Sequence, residues 1–175
     1  MVARATHEEE WFRLSPDQRA AWAGFIRAHA TIVKELDAEL RNVHGLPLSS
    51  YDVLVQLSLA SDGRMQMFEL AEAVHRSRSG LSRLVGRLEQ QGLLERHRGD
   101  RDSRQVFACI TGAGLERLAE TTPTHLAGVR RRFLDRLSQT QMEQLAAIWD
   151  QLLDSVTERD LGIRSTETST PPTRR

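Results

Sequence analysis

His75-Arg76-Ser77-Arg78-Ser79-Gly80-Leu81-Ser82-Arg83-Leu84-Val85-Gly86-Arg87-Leu88-Glu89-Gln90-Gln91-Gly92 is the stretch whose reading decides the fold. Leu81, Leu84, Val85 and Leu88 recur at three- and four-residue spacing, so they share one face of a helix. Ser77 can cap that helix and Gly92 can stop it. Arg76, Ser79 and Arg83 then lie roughly opposite the apolar face, Ser82 and Arg87 flank it, and Arg78 sits nearer the flank. Just upstream, Met67 to Val74 has the length of one short helix, and the break at His75-Arg76 leaves two short helices meeting across a tight turn. Just downstream come Leu93-Leu94-Glu95-Arg96, then the turn-forming run Gly99-Asp100-Arg101-Asp102-Ser103, then Arg104 to Ile110 with β-branched and aromatic residues. That reads as a β-hairpin. Short helix, tight turn, second helix and hairpin in this order predict a winged helix-turn-helix.

The flanks read as helix. Ser15-Pro16-Asp17-Gln18 has the form of a capping box with proline in the first turn. Trp22, Phe25, Ile26, His29, Ile32, Val33, Leu36 and Leu40 then form an apolar stripe until Gly45 and Pro47 break the helix. A second start is expected at Ser49, with Asp52 three residues on and Tyr51, Leu54, Val55 and Leu59 as the repeat up to Ser61-Asp62-Gly63. After the hairpin, Thr111 can cap a helix expected to be interrupted near Pro123. Ser138 with Gln141 makes another capping box before Met142, Leu145, Ile148, Trp149, Leu152 and Val156. From about Ser165 onward Ser, Thr, Pro and Arg without apolar periodicity predict a disordered tail.

Composition narrows the function classes. The 175 residues suit one domain with a small extension, and 39% hydrophobic with 27% charged residues is ordinary for a helix-rich protein. No apolar run reaches the length of a membrane span, and the acidic start at Glu8-Glu9-Glu10 is unlike a signal peptide, so the expected location is cytoplasmic. Cys109 is the only cysteine, and the six histidines have no ligand-like spacing, so no metal site or cofactor is expected. The net charge of +0 offers no bulk attraction to nucleic acid. Between His75 and Arg104, however, eight arginines stand against four acids, a local excess of about +4. No phosphate-binding glycine loop, Gly-x-Ser-x-Gly elbow or His-Glu-x-x-His is present, and no enzyme activity is expected.

At the hairpin the chain resembles the multiple-antibiotic-resistance regulator (MarR) family, whose wing pattern is Asp-x-Arg followed by a strand and a Leu-Thr-x-x-Gly helix start. Here these stand as Asp102-Ser103-Arg104 and Ile110-Thr111-Gly112-Ala113-Gly114, with isoleucine where the family usually has leucine. Arg87 to Arg96 also looks like that family, and the likeness covers roughly Ser15 to Val156.

The resemblance implies a mainly α homodimer with a small β wing. Its expected parts are an N-terminal arm over 1–14, a dimerisation helix over 15–47, a DNA-binding lobe over 48–112, C-terminal dimerisation helices over 113–158 and a tail over 159–175. It also implies a regulator, in most members a repressor, bound to double-stranded DNA at a pseudo-palindromic operator. The second helix would enter the major groove through Arg76, Ser77, Arg78, Ser79, Ser82, Arg83 and Arg87. The wing would supply Arg101 and Arg104, with Arg104 in the minor groove and Asp102 bracing the wing. A small aromatic or phenolic effector would sit near Trp22, Phe25, His29, Tyr51 and Asp52. The other reading of a winged helix is a protein-interaction module without sequence-specific DNA binding, which would tend to lose outward arginines from its second helix and wing. This chain keeps them.

Overall fold

Local capping accounts for where several of the helices start and stop. In the computed structural model, which describes residues 10–99 and 105–153, Ser15 accepts from the Gln18 N–H at 3.1 Å and donates its own N–H to the Gln18 side chain at 2.8 Å. This box opens α1 (Pro16–His44), which ends where Gly45, in the left-handed region, donates to the Arg41 carbonyl. Then follow α2 (Leu48–Leu59), β1 (Arg64–Gln66), α3 (Met67–Ala73), α4 (Arg78–Gln90), β2 (Leu94–Arg98), β3 (Val106–Ile110), α5 (Gly112–Arg132), a 3-10 turn (Leu134–Arg136) and α6 (Gln139–Leu152). The same reciprocal box, from Ser138 and Gln141, opens α6. Residues 10–13 add one helical turn ahead of α1. The fold is mainly helical with one small antiparallel sheet. Val156 and the tail lie outside the described residues.

The described residues divide into two compact units, one of residues up to 49 with 120–136, the other of 50–119 with those from 137 on. In the first unit only Leu36 and Leu40 of α1 are buried, beside Leu46 and Leu48. Leu36 lies where a Cβ on Gly128 of α5 would come within 2.7 Å, so the glycine lets the two helices approach closely. Arg131 and Arg132 reach across to Glu39, and Arg132 also to Glu35 at 2.8 Å. Burial alone would raise the Glu39 pKa, but hydrogen bonds from both arginines hold it below the ordinary value.

Two expectations are corrected in this unit. The second helix does not start with Ser49 as its cap. It starts at Leu48, whose N–H donates to the Asp37 carboxylate at 2.9 Å. A side chain eleven positions back, on α1, does the work of a local cap. Asp37 also accepts from Arg41 at 2.6 Å, and that bond, against burial and aided by the Leu48 N–H, holds its pKa below the usual carboxylate value. Nor does Pro123 interrupt α5, although it leaves the Ala119 carbonyl without its helical donor. Just before the proline Thr121 packs fully buried, and beyond it the Thr124 hydroxyl bonds His44 at 2.8 Å and the arginines grip α1. These tertiary contacts hold the helix direction through a residue that would break it in isolation.

In the second unit the sheet has three strands in the order β1-β3-β2, not the two expected. Arg64 pairs with Cys109 and Gln66 with Phe107 on one side of β3. Glu95 pairs with Cys109 and Arg98 with Val106 on the other. The core under the sheet is Val53, Leu54 and Leu57 of α2, Leu70 and Ala71 of α3, Leu81, Leu84, Val85 and Leu88 of α4, and Leu93, Leu94 and Ala108. On α2 Tyr51 and Leu54 of the expected stripe are buried, Val53 and Leu57 join them, Val55 is half-buried and Leu59 is exposed.

The expected turns carry their signatures. After α3, Arg76 donates to the Ala71 carbonyl and His75 to Glu72, with His75 in the left-handed region (φ 50) where glycine is usual. After α4, Leu93 donates to Leu88 and Gly92 to Glu89, with Gly92 at φ 71. The Thr-x-x-Gly motif joins the wing to α5. The Thr111 hydroxyl donates to the Gly92 carbonyl at 2.7 Å and accepts from the Gly114 N–H at 3.1 Å. The Gly114 backbone lies so close to the Leu93 carbonyl that a Cβ there would be 2.1 Å from the oxygen.

That closeness makes Gly114→Ala costly. It is expected to destabilise the protein by roughly 2 kcal/mol or more, whereas Gly112→Ala, which meets open space, stays neutral or gains up to about 1 kcal/mol. Denaturant melts of both variants read the difference, and equal midpoints would contradict the close approach. A second expectation concerns Asp37. Replacement by alanine should cost roughly 1 kcal/mol at neutral pH. A carboxylate whose folded pKa is depressed stabilises only while ionised, so the gap from wild type should be full above about pH 4 and close as the pH falls below it. Melts at pH 7 and pH 3 measure this, and an equal gap at both would rule out the ionic part.

Candidate nucleic-acid interface

The buried face of α4 sets which of its residues meet solvent. With Leu81, Leu84, Val85 and Leu88 at 2% exposure or less, the helix cannot turn about its axis without losing the core. Ser79, Ser82, Arg83 and Arg87 are consequently exposed, as are Arg76 and Ser77 just ahead of the helix and Arg78 at its start. All seven residues on and just ahead of α4 that are expected to touch DNA are on the surface. The Ser77 hydroxyl accepts from the Gly80 N–H at 3.2 Å. The N–H groups of Arg78 and Ser79, in the first turn, have no intrahelical acceptor and suit an anion.

Electrostatics separate these arginines from others in the chain. Among the described residues Arg76, Arg78, Arg83 and Arg87 form no salt bridge, while Arg13, Arg41, Arg131 and Arg132 all do. A cation held by no carboxylate keeps its full field for an incoming phosphate. Arg96, counted on sequence with the basic patch, belongs to the other group. Its Nη2 donates to the Ser82 carbonyl at 2.9 Å and its Nε lies 3.6 Å from Glu89. Sequence reasoning missed this because nothing in a run of arginines tells which one the fold will occupy.

The wing ladder ends where Gly99 donates to the Gln105 carbonyl at 2.9 Å. Arg101, Asp102 and Arg104 lie outside the described residues. On the sheet face shared by Arg64, Phe107 and Cys109, the Arg64 guanidinium stacks over the Phe107 ring at 5.4 Å and His97 contacts Glu95 at 3.2 Å. Burial pushes the Cys109 thiol pKa up, with Arg64 opposing and Glu95 adding to it, so the sulfur is not activated as a thiolate. Among the described residues no three His, Cys, Asp or Glu side chains gather as metal ligands, and no helix is long and apolar enough to cross a membrane.

Comparison with known proteins agrees with this geometry. A MarR family model matches residues 44–105, from the end of α1 to the wing. The structure of AbsC, a MarR family transcriptional regulator from Streptomyces coelicolor, is 31% identical, with a TM-score of 0.76 over 81% of this chain and 95% of that one. The structure of Sco3205, a MarR family transcriptional regulator from the same organism solved in complex with DNA, is 33% identical, with a TM-score of 0.77 over 82% and 90%. The chain belongs to the MarR family of transcriptional regulators. A more distant relative is the transcriptional repressor MprA of Escherichia coli K12, 26% identical over 122 residues, which are 70% of this chain and 69% of that protein.

In this MarR-family protein the five residues expected near an effector fall in two groups. Trp22, Phe25 and His29 form an exposed ladder along α1, with ring centroids 6.0 Å and 6.2 Å apart. Tyr51 and Asp52 stand on α2 in the other unit, where Tyr51 is buried in the core and Asp52 is exposed.

Proposed function

We propose that this protein is a homodimeric repressor that binds a pseudo-palindromic operator in double-stranded DNA, with α4 in the major groove and the wing loop at the neighbouring minor groove. The observation that carries this reading is the outward row of serines and unpaired arginines on α4. Ser77 and Ser79, with the free N–H groups beside them, and Arg78 hold phosphates. Arg83, with Arg76, Ser82 and Arg87 around it, reaches base edges and the flanking backbone. Arg101 and Arg104 act from the wing loop, with Asp102 as a brace. The protein acts by binding and not by catalysis, in the cytoplasm where the DNA is.

Dimerisation is supported by apolar side chains that one protomer leaves uncovered. Trp22 is 56% exposed, and Phe25, Ile26 and Val33 on α1 and Ile148 and Leu152 on α6 are also exposed. These helices are the regions 15–47 and 113–158 assigned to self-association. Repression has the support of MprA, a relative described as a repressor. Trp22, Phe25 and His29 on α1 are proposed contacts for a small aromatic or phenolic effector, as separately are Tyr51 and Asp52 on α2, and the effector would release DNA by preferring a dimer with wrongly spaced recognition helices.

The test is operator binding by wild type, Arg83→Ala and Arg104→Ala across a salt series. Wild-type binding should be selective and salt-sensitive. Each substitution should weaken it by about 1 to 3 kcal/mol, with Arg83→Ala also relaxing base preference. No selective binding at low salt, or binding indifferent to both arginines, would favour the protein-interaction reading.

A further inference from the structure

Arg96, half-buried with its side chain 31% exposed, shows how the two DNA-reading elements are held together. Arg96 stands in β2, an edge strand of the sheet, and lies along the α4 face made by Ser82, Gly86 and Glu89, which follow one another at steps of four and three residues. Its backbone N–H donates to Glu89 Oε1 at 3.2 Å, which satisfies an edge group that no further strand could take. Its Nη2 donates to the Ser82 carbonyl, which has a second lone pair besides the one used within the helix.

Gly86 makes the approach feasible. A Cβ there would sit 3.2 Å from Arg96 Nη2, tighter than most such contacts. Glycine inside a helix costs about 1 kcal/mol relative to alanine, and here it leaves the crossing guanidinium a few tenths of an ångström that a methyl group would take. Glu89 faces the same guanidinium from the helix and offsets its charge.

We propose that Arg96 is a positioning residue that locks the wing to the recognition helix, setting the angle at which the two enter neighbouring grooves, and that it contributes no phosphate contact. This rests on the DNA-binding reading above. The Arg96 guanidinium donates to a helix carbonyl through Nη2 while its Nε lies 3.6 Å from the Glu89 carboxylate, a planar, spread-out arrangement that the compact ammonium of lysine does not reproduce. With the brace removed, the wing and α4 still fold but their mutual angle is looser, and a binding surface held loosely loses selectivity before it loses charge.

Two variants separate the brace from a charge effect. Arg96→Ala removes the fork, and Gly86→Leu fills the notch while keeping good helix propensity. Both should weaken operator binding roughly tenfold or more and narrow the ratio of operator to random DNA affinity. The slope of log K against log salt should stay at the wild-type value, whereas loss of a phosphate contact would reduce it by about 1.

In the DNA-free protein, amide hydrogen exchange over Leu94–Arg98 and Val106–Ile110 should quicken in both variants while α2 is unchanged. A reduced slope for Arg96→Ala, unaltered operator affinity in both variants, or unaltered wing exchange would each overturn the proposal. The exchange measurement decides it even if wild type fails to select DNA, a result that would count against the DNA-binding reading alone.

Discussion

Leu81, Leu84, Val85 and Leu88 hold one side of α4 in the core, and most other features of the lobe depend on that burial. Because the helix is pinned on this face, its arginines and small hydroxyl residues have one direction left, outward, where among the described residues the arginines pair with no carboxylate. Close packing makes the rotation discrete, since a shift by one position would put an arginine into the core. The caps at Ser77 and Gly92 fix the ends of the helix, and the Thr111-Gly114 joint ties the strand that returns from the wing to α5. Rotation, ends and joint together leave the recognition surface little freedom.

A chain with no net charge that binds a polyanion must keep its cations and anions apart. The structure does so by spending many of its carboxylates internally. Asp37 holds the start of α2, Glu35 and Glu39 hold the end of α5, and Glu89 holds Arg96. Each of these pairs joins elements, and the pair at Glu89 engages an acid carried by α4 itself. Steering toward DNA then comes from a local field, which makes binding sensitive to salt without making the whole molecule sticky.

Much of this was legible in the amino-acid sequence, and what was legible was local. The capping boxes at Ser15-Gln18 and Ser138-Gln141, the stop at Gly92 and the apolar face of α4 all involve residues within a few positions of one another, so their spacing carries the signal. What escaped reading depends on partners far along the chain. Strand β1 has only three residues and exists because β3 offers an edge, so no alternation announces it. The start of α2 is set by Asp37 on another helix, which no pattern around Ser49 could reveal. Pro123 looks like a breaker until Thr124 and Arg131 find α1, and Arg96 looks like one more surface cation until Gly86 opens a notch for it. The residues of α4 proposed to contact DNA were all readable, because their exposure follows from the same periodicity that buries their neighbours.

The most direct measurement is chemical protection of guanine N7, a major-groove atom, in duplexes selected by the full-length protein from a random pool. If α4 reads the major groove in a two-fold dimer, protection should fall in two symmetric clusters with centres about one helical turn, roughly 10 base pairs, apart or at a multiple of that spacing. Selection of no common sequence, or a selected sequence whose guanine N7 atoms remain fully reactive with protein bound, would contradict the assignment of α4 as the recognition helix.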